Sequence, residues 1–293
     1  MALCLLLSRW CLARRHSLVA VTIDHGFRAD SALEARRVSA WLAARGIEHK
    51  TLRWSGLNPN SGLQAAARSA RFALLIDHAA SLDASGLFLA HHIQDQAETM
   101  AMRLARGSGL DGLAGIRPVQ LYGRLSVMRP LLSVDPARLR AYCLAEAQIW
   151  VNDPSNHDRR FERVRIRQEA TAIAGAGLNP QRLQRLAKVF GRLRDCSEKR
   201  LAAFLMAFGE LDPRGFASLD LSAILGLPPP LRKKLLSGLP QSIGGLDYPP
   251  RLERMQRLFE WLDDGSGGRI TLGGCLIWRG RDERLWIARE APQ

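Results

Sequence analysis

The sequence predicts an α/β protein: a doubly wound parallel sheet, then a helical linker and a small C-terminal α+β domain. Three observations carry that expectation. Apolar, β-branched runs alternate with helical patterns through the first half of the chain. Two polar clusters, IDHGFR at 23–28 and AHHIQDQAET at 90–99, follow strand-like runs, where open α/β sheets bind their ligands. The last quarter changes character and ends in RITLGGCLIWRGRDERLWIARE, which reads as a hairpin turning at residues 280–283.

Residues 1–12 read as an apolar helix and 17–24 as a buried strand. A helix leading into a buried strand ordinarily follows a strand itself. Residues 31–45 form a helix with Leu33, Val38, Trp41 and Leu42 turned inward and Gly46 ending it. A short strand at 49–54, an Ala-rich helix at 63–81, a strand at 86–90 and a helix at 95–104 complete the alternation. Strands separated by helices of this size pair in parallel. RGSGLDGLAGIRP follows, with glycines at 107, 109, 112 and 115, a flexible flap over a site or a plain surface loop. Asp135 ahead of Pro136 caps a helix reaching about residue 147. An Arg-rich helix runs from about Pro180 to Phe208, and two helices precede the terminal hairpin. The domain boundary falls between about Arg167 and Arg200, giving an N-terminal α/β domain at 1–168, a basic helical linker at 169–208 and a C-terminal domain at 209–293.

Composition narrows the function. At 293 residues, 47% apolar and 24% charged, the chain is globular. No apolar run reaches the length of a membrane span. The opening is not expected to be a secretory leader, because Arg9, Arg14 and Arg15 lie within or after the apolar run rather than ahead of it and no small-residue cleavage site follows. Cys4, Cys11, Cys143, Cys196 and Cys275 are scattered with no CxxC pair, which suits reduced structural thiols of a cytoplasmic protein. Forty-two Lys and Arg against 28 Asp and Glu leave a net charge of +14. A coding bias toward Arg explains part of the excess, and a polyanionic partner is the functional reading.

The clusters supply candidate site residues. His91 and His92 sit at a strand end, and Asp95 and Glu98 follow three apart on the first turn of the next helix. That spacing projects both acids from one helix face. Such a pair can hold Mg²⁺, orient a cationic substrate or accept a proton from an amine, while either acid alone is also an ordinary helix-start residue. Asp24 and His25 end the first strand, as nucleotide contacts or as a simple turn. Arg68 and Arg71 share one face of a small-residue helix, as phosphate ligands or as solvated side chains. Arg159, Arg160, Arg163, Arg165 and Arg167 fall within nine residues, a density that favours phosphate contact.

Taken together, VTIDHGFR, GLQAAARSAR, HHIQDQAETMAMRLARGSGLDGLAGI, RPLL at Arg129–Leu132 and DPSNHDRRFERVRIR resemble the tRNA(Ile)-lysidine synthase family of the N-type ATP pyrophosphatase, or PP-loop, group. The resemblance is close from Met1 to about Arg167 and looser at TLGGCLIWR; Val164 stands where the family usually has Asn. It implies an adenine nucleotide alpha hydrolase-like fold. Met1-Ala2-Leu3 matches the residues just after the family's SGGxDS loop, so that phosphate-cradling loop and the N-terminal strand before it are expected to be missing from the chain as written. The resemblance implies a cytoplasmic ligase using ATP and Mg²⁺ to join free L-lysine to C2 of the wobble cytidine of tRNA(Ile) with a CAU anticodon. AMP and pyrophosphate are released and codon reading changes from AUG to AUA; no membrane is involved, and a homodimer is compatible. By the same resemblance, Asp24, His25, His91, His92 and Arg68 line the nucleotide site, and Asp95 and Glu98 hold Mg²⁺ or the lysine ammonium. Arg71 offsets phosphate charge, and Arg159, Arg160, Arg163, Arg165, Arg167, Arg182 and Arg185 follow the tRNA backbone. The alternative is a catalytically inactive tRNA-binding remnant without the phosphate cradle. A tRNA thiolase ranks below both, since it would show Cys pairs that this chain lacks.

Overall fold

The computed structural model describes residues 1–24, 30–54, 63–151, 162–169, 174–175, 177–246, 250, 252–265 and 267–290, of which 63–69, 163 and 252 are described by backbone alone. Two compact units divide the chain, Met1–Gly191 and Arg192–Gln293.

The first unit opens with α1 (Ala2–Arg14), β1 (Val19–Asp24), α2 (Ser31–Ala43) and β2 (Glu48–Arg53). β1 and β2 pair in parallel, Val19 opposite Glu48 and Asp24 opposite Arg53. Leu5, Ala20, Leu42 and Ile47 bury together between helices and strands, with Met1, Cys4, Leu18 and Val38 around them. Leu33, expected inward, is 44% exposed, because α2 turns Ala35 and Leu42 to the core instead. α3 (Leu63–Ser81) leads to β3 (Gly86–Phe88), α4 (Ile93–Ala105) and the single turn α5 (Leu110–Leu113). β4 (Val119–Tyr122) and β5 (Leu125–Met128) form an antiparallel hairpin, and β3 joins the far edge of β5 in parallel. The parallel pairings are thus divided between a two-stranded and a three-stranded sheet. α6 (Pro136–Ala145) is capped by Asp135, whose side chain accepts from the Ala137 N–H at 2.7 Å, with Pro136 at its first position. α7 is Glu162–Gln168.

The glycine-rich segment is not a free flap. Gln96 of α4, 4% exposed, accepts from the Ile116 N–H at 2.7 Å and donates to the Ile116 carbonyl at 3.4 Å. Two turns further along the same face, Arg103 donates to the Gly112 carbonyl. Gly115 has φ +66°, and a Cβ there would fall 2.7 Å from Gln96 Oε1. Glycine is required at that point by both backbone and space.

α8 (Pro180–Phe208) continues across the division between the units. In the first unit its Leu183 and Ala187 pack on Ala97 and Met100 of α4. The second unit holds β6 (Gly209–Asp212), β7 (Phe216–Asp220), α9 (Leu221–Gly226), α10 (Pro229–Gly244), α11 (Leu252–Asp263), β8 (Arg269–Leu272), β9 (Cys275–Arg279) and β10 (Arg284–Arg289). The strands form one antiparallel sheet in the order β6-β7-β10-β9-β8. Ala217, Leu219, Ile277, Leu285 and Ile287 on one face, all at 0% exposure, meet Ile224, Leu236 and Leu258 of the helices. The region expected to hold two helices therefore holds three, preceded by a hairpin. Gly244 lies so close to the β8–β9 turn that a Cβ would sit 2.0 Å from the Gly273 carbonyl oxygen. The described cysteines are all unbridged, and burial pushes the Cys275 thiol above its usual range. No helix among the described residues is long and apolar enough to cross a membrane.

Two stability measurements follow from this packing. Leu258 is fully buried, so Leu258→Ala is expected to lower the unfolding free energy in urea by about 2–5 kcal/mol. His49 Nε2 lies 2.9 Å from Thr22 Oγ1 across the β1–β2 pair, and burial lowers its pKa. The folded form therefore binds the proton less readily than the unfolded chain, and the contribution is present above, and lost below, the ordinary histidine pKa of about 6.5. The melting temperature should fall between about pH 7 and about pH 5 by less in His49→Gln than in the wild type.

Candidate active-site cleft

A cleft of about 720 Å³ opens in the first unit. Val21, Thr22 and Ile23 of β1, Arg71, Phe72 and Leu75 of α3, and Leu89, Ala90 and His91 beyond β3 line it, with Asp95, Tyr122 and Arg129. Consecutive side chains of a strand point to opposite faces. Three consecutive lining residues on β1, and three more beyond β3, mean that the cleft runs along strand edges. Among the described residues β1 pairs only with β2, and β3 only with β5. The cleft walls therefore offer backbone N–H and C=O groups together with side chains.

The chemistry collects where β3 passes into α4. His92 is the residue before the helix. Asp95 Oδ2 accepts from the His92 backbone N–H at 2.8 Å and lies 3.3 Å from His92 Nδ1. The carboxylate thereby satisfies an N–H that the helix cannot, and its other oxygen has no protein partner among the described residues. Glu98, one turn on, is 1% exposed and does not line the cleft. Its Oε1 accepts from Arg167 Nε of α7 at 2.8 Å, while its Oε2 is buried without a partner. That hydrogen bond, with a weaker push from the charges of Glu98 and Asp95, raises the Arg167 pKa. The acids that spacing places on one face thus divide: Asp95 on the cleft wall, Glu98 under α7.

The remaining candidates distribute as follows. Asp24 is 5% exposed at the end of β1, accepts from Ser31 Oγ at 2.6 Å and lies 3.9 Å from Arg53 Nε. It is not among the lining residues. His91 and Arg71 line the cleft. His25, Arg159 and Arg160 lie outside the described residues, as do the side chains of Arg68 and Arg163. Arg165 is exposed on α7, and Arg182 and Arg185 are exposed on α8, where Arg182 Nη1 also donates to the Gly177 carbonyl at 2.9 Å. Among the described residues no three His, Cys, Asp or Glu side chains gather as a metal-binding set. Asp95 is the single acid on the described walls and Glu98 Oε2 is buried without a partner behind it, so a Mg²⁺ ion at this site would be held by one or two carboxylates together with water and phosphate oxygens rather than by a protein cage. Thr22, Phe72, Tyr122 and Arg129 are lining residues that the sequence reading gave no role. For Arg129 a cue existed in RPLL, an arginine interrupting an apolar strand end.

Residues 1–173 match the family model described as the PP-loop domain, so the α/β unit that carries the cleft is of the PP-loop class. The tRNA(Ile)-lysidine synthase of Methylobacterium nodulans is 39% identical over 267 residues, spanning 89% of this chain and 79% of that one. The enzyme of the same name from Rhodopseudomonas palustris is 40% identical over 100% of this chain and 88% of its own length. For that of Ruegeria pomeroyi the figures are 36%, 93% and 64%. The chain belongs to the tRNA(Ile)-lysidine synthase family, a family of ligases. Among solved structures, a U34-tRNA thiolase from Methanococcus maripaludis superposes with a TM-score of 0.55 over 66% of each chain at 14% identity, a likeness of fold.

The Glu98–Arg167 contact is open to a double-mutant cycle. Arg167 is 42% exposed, which moderates the effect, so Glu98→Gln and Arg167→Gln are each expected to cost about 1–3 kcal/mol. Their coupling in urea unfolding should be about 1 kcal/mol or more.

Proposed function

We propose that the protein ligates free L-lysine to C2 of the wobble cytidine in the CAU anticodon of tRNA(Ile), at the expense of ATP bound in the cleft. The observation that supports this most directly is Asp95: a carboxylate fixed by the His92 N–H, on the wall of the cleft, with one oxygen uncommitted among the described residues. In this reading ATP supplies an adenylyl group to the C2 oxygen of the cytidine, and pyrophosphate leaves. The lysine ε-amine then forms the C2–N bond, the C2–O bond breaks and AMP departs. An ammonium is not a nucleophile, and Asp95 is the cleft carboxylate suited to orient it and take its proton. Arg71 offsets the negative charge of the phosphates. His91 borders the nucleotide, while Glu98 acts through α4 by holding the helix against α7.

The exposed guanidiniums of Arg165, Arg182 and Arg185 would follow the tRNA backbone, the second unit would hold the acceptor side, and the changed base would be read against AUA rather than AUG. No step of this scheme is routed through Mg²⁺.

The test is lysine- and tRNA-dependent AMP release from radiolabelled ATP. Asp95→Asn is expected to lower kcat/KM by about 10²–10⁴-fold with the affinity for a CAU-anticodon transcript unchanged. Arg182→Ala combined with Arg185→Ala should weaken transcript binding and flatten its dependence on salt. Salt-sensitive tRNA binding without any AMP release would overturn the ligase reading and leave the chain as a tRNA-binding protein.

A further inference from the structure

Arg129 directly follows β5 at the start of RPLL and lines the cleft. The residue is 9% exposed. Nη1 donates to the Arg117 carbonyl at 2.8 Å, Nε is buried without a partner, and no carboxylate pairs with the group among the described residues. A guanidinium keeps its proton in proteins, so Arg129 places an uncompensated positive charge in a desolvated wall. That is a costly arrangement unless an anion arrives to share it. Burial pulls its pKa down, the direction expected of a cation with no counter-charge, and Tyr122 across the wall is the ionisable neighbour acting to hold it up. The described charges of the cleft are Arg71 and Arg129 against Asp95, and Asp95 already accepts from the His92 N–H. The described walls therefore carry two guanidiniums against one carboxylate, and a planar fork of donors matches the oxygens of a phosphate group.

We propose that Arg129 is a phosphate-binding residue and that, with Arg71, it forms an anion subsite for the polyphosphate of the nucleotide. This rests on the reading of the cleft as a nucleotide site and adds to it a second, buried anchor opposite the helix that carries Arg71. The Arg129–Arg117 hydrogen bond alone would make the residue a brace for the β4–β5 hairpin, and the two roles separate by experiment.

The whole chain is titrated calorimetrically with inorganic pyrophosphate and, separately, with adenosine, as wild type, Arg129→Lys, Arg129→Met and Arg71→Met. Loss of a charge-assisted fork is expected to weaken pyrophosphate binding by about tenfold or more in Arg129→Met and by a smaller factor in Arg129→Lys, with adenosine binding unchanged. Wild-type protein that takes up no pyrophosphate overturns the proposal. So does an Arg129 variant that melts lower yet binds pyrophosphate within about twofold of wild type, the behaviour of a brace. Should Arg129→Met fail to fold, Arg129→Lys, which keeps the charge and loses the fork, carries the test alone. Arg129-dependent pyrophosphate binding in a protein that releases no AMP leaves the subsite standing and removes the lysine-transfer reading. AMP release with pyrophosphate binding indifferent to Arg129 does the reverse.

Discussion

The pairing of the polar side chains that α4 carries inward is the constraint on which the first unit depends. Within little more than two turns the helix buries Gln96 and, on another side, Glu98, and it carries Arg103 two turns beyond Gln96 on the same side, and buried polar groups must be paired or their desolvation is uncompensated. Each solves that requirement by fastening a different stretch of chain: Gln96 the backbone at Ile116, Arg103 the backbone at Gly112, Glu98 the guanidinium of Arg167. Ala97 and Met100 then receive α8 on the apolar side. A 13-residue helix so decides where four later segments lie, and its first turn delivers Asp95 to the cleft as a by-product of capping itself.

The cleft inherits its character from this arrangement. Its floor comes from strand edges and apolar side chains, and its charges come one from each surrounding element. Phe72 and Tyr122 meet edge to face with centroids 5.2 Å apart, so α3 and the β4–β5 hairpin form one continuous wall. That wall carries Arg71 at one end and leads to Arg129 at the other. A carboxylate and two guanidiniums in one concavity can hold a cationic amine and anionic phosphates at once, which is what the proposed transfer requires.

Much of the fold was legible because long periodic segments obey their pattern: the expected spans of α3 and α8 coincide with those observed. The β4–β5 hairpin was not legible, since Val119 and Leu121 are 55% and 69% exposed and their alternation points the apolar side outward. Four-residue strands also leave too little sequence to establish a period. The glycine run looked mobile because its restraints are side chains elsewhere, at Gln96 and Arg103, and sequence cannot reveal who grips whom. The same limit applies to the acids. Spacing placed Asp95 and Glu98 on one face correctly, but the depth of each depends on α7, which arrives 69 positions later to meet Glu98. Arg129 escaped for the opposite reason: its meaning lies in the lack of a counter-charge, a property that only packing displays.

Arg167 sits at the end of a run of arginines, yet it is not equivalent to its neighbours. Its guanidinium neutralises a carboxylate that is 1% exposed, so any polyanion that captured Arg167 would strand the Glu98 charge in the interior. Binding at this residue and cohesion of the helices beneath it are therefore antagonistic, and by reciprocity the intact pair repels such a ligand by as much as the ligand would loosen the pair. Within one basic stretch, Arg167 is thus committed to the interior through Glu98, and its charge is not available on the same terms as that of a guanidinium facing solvent ions.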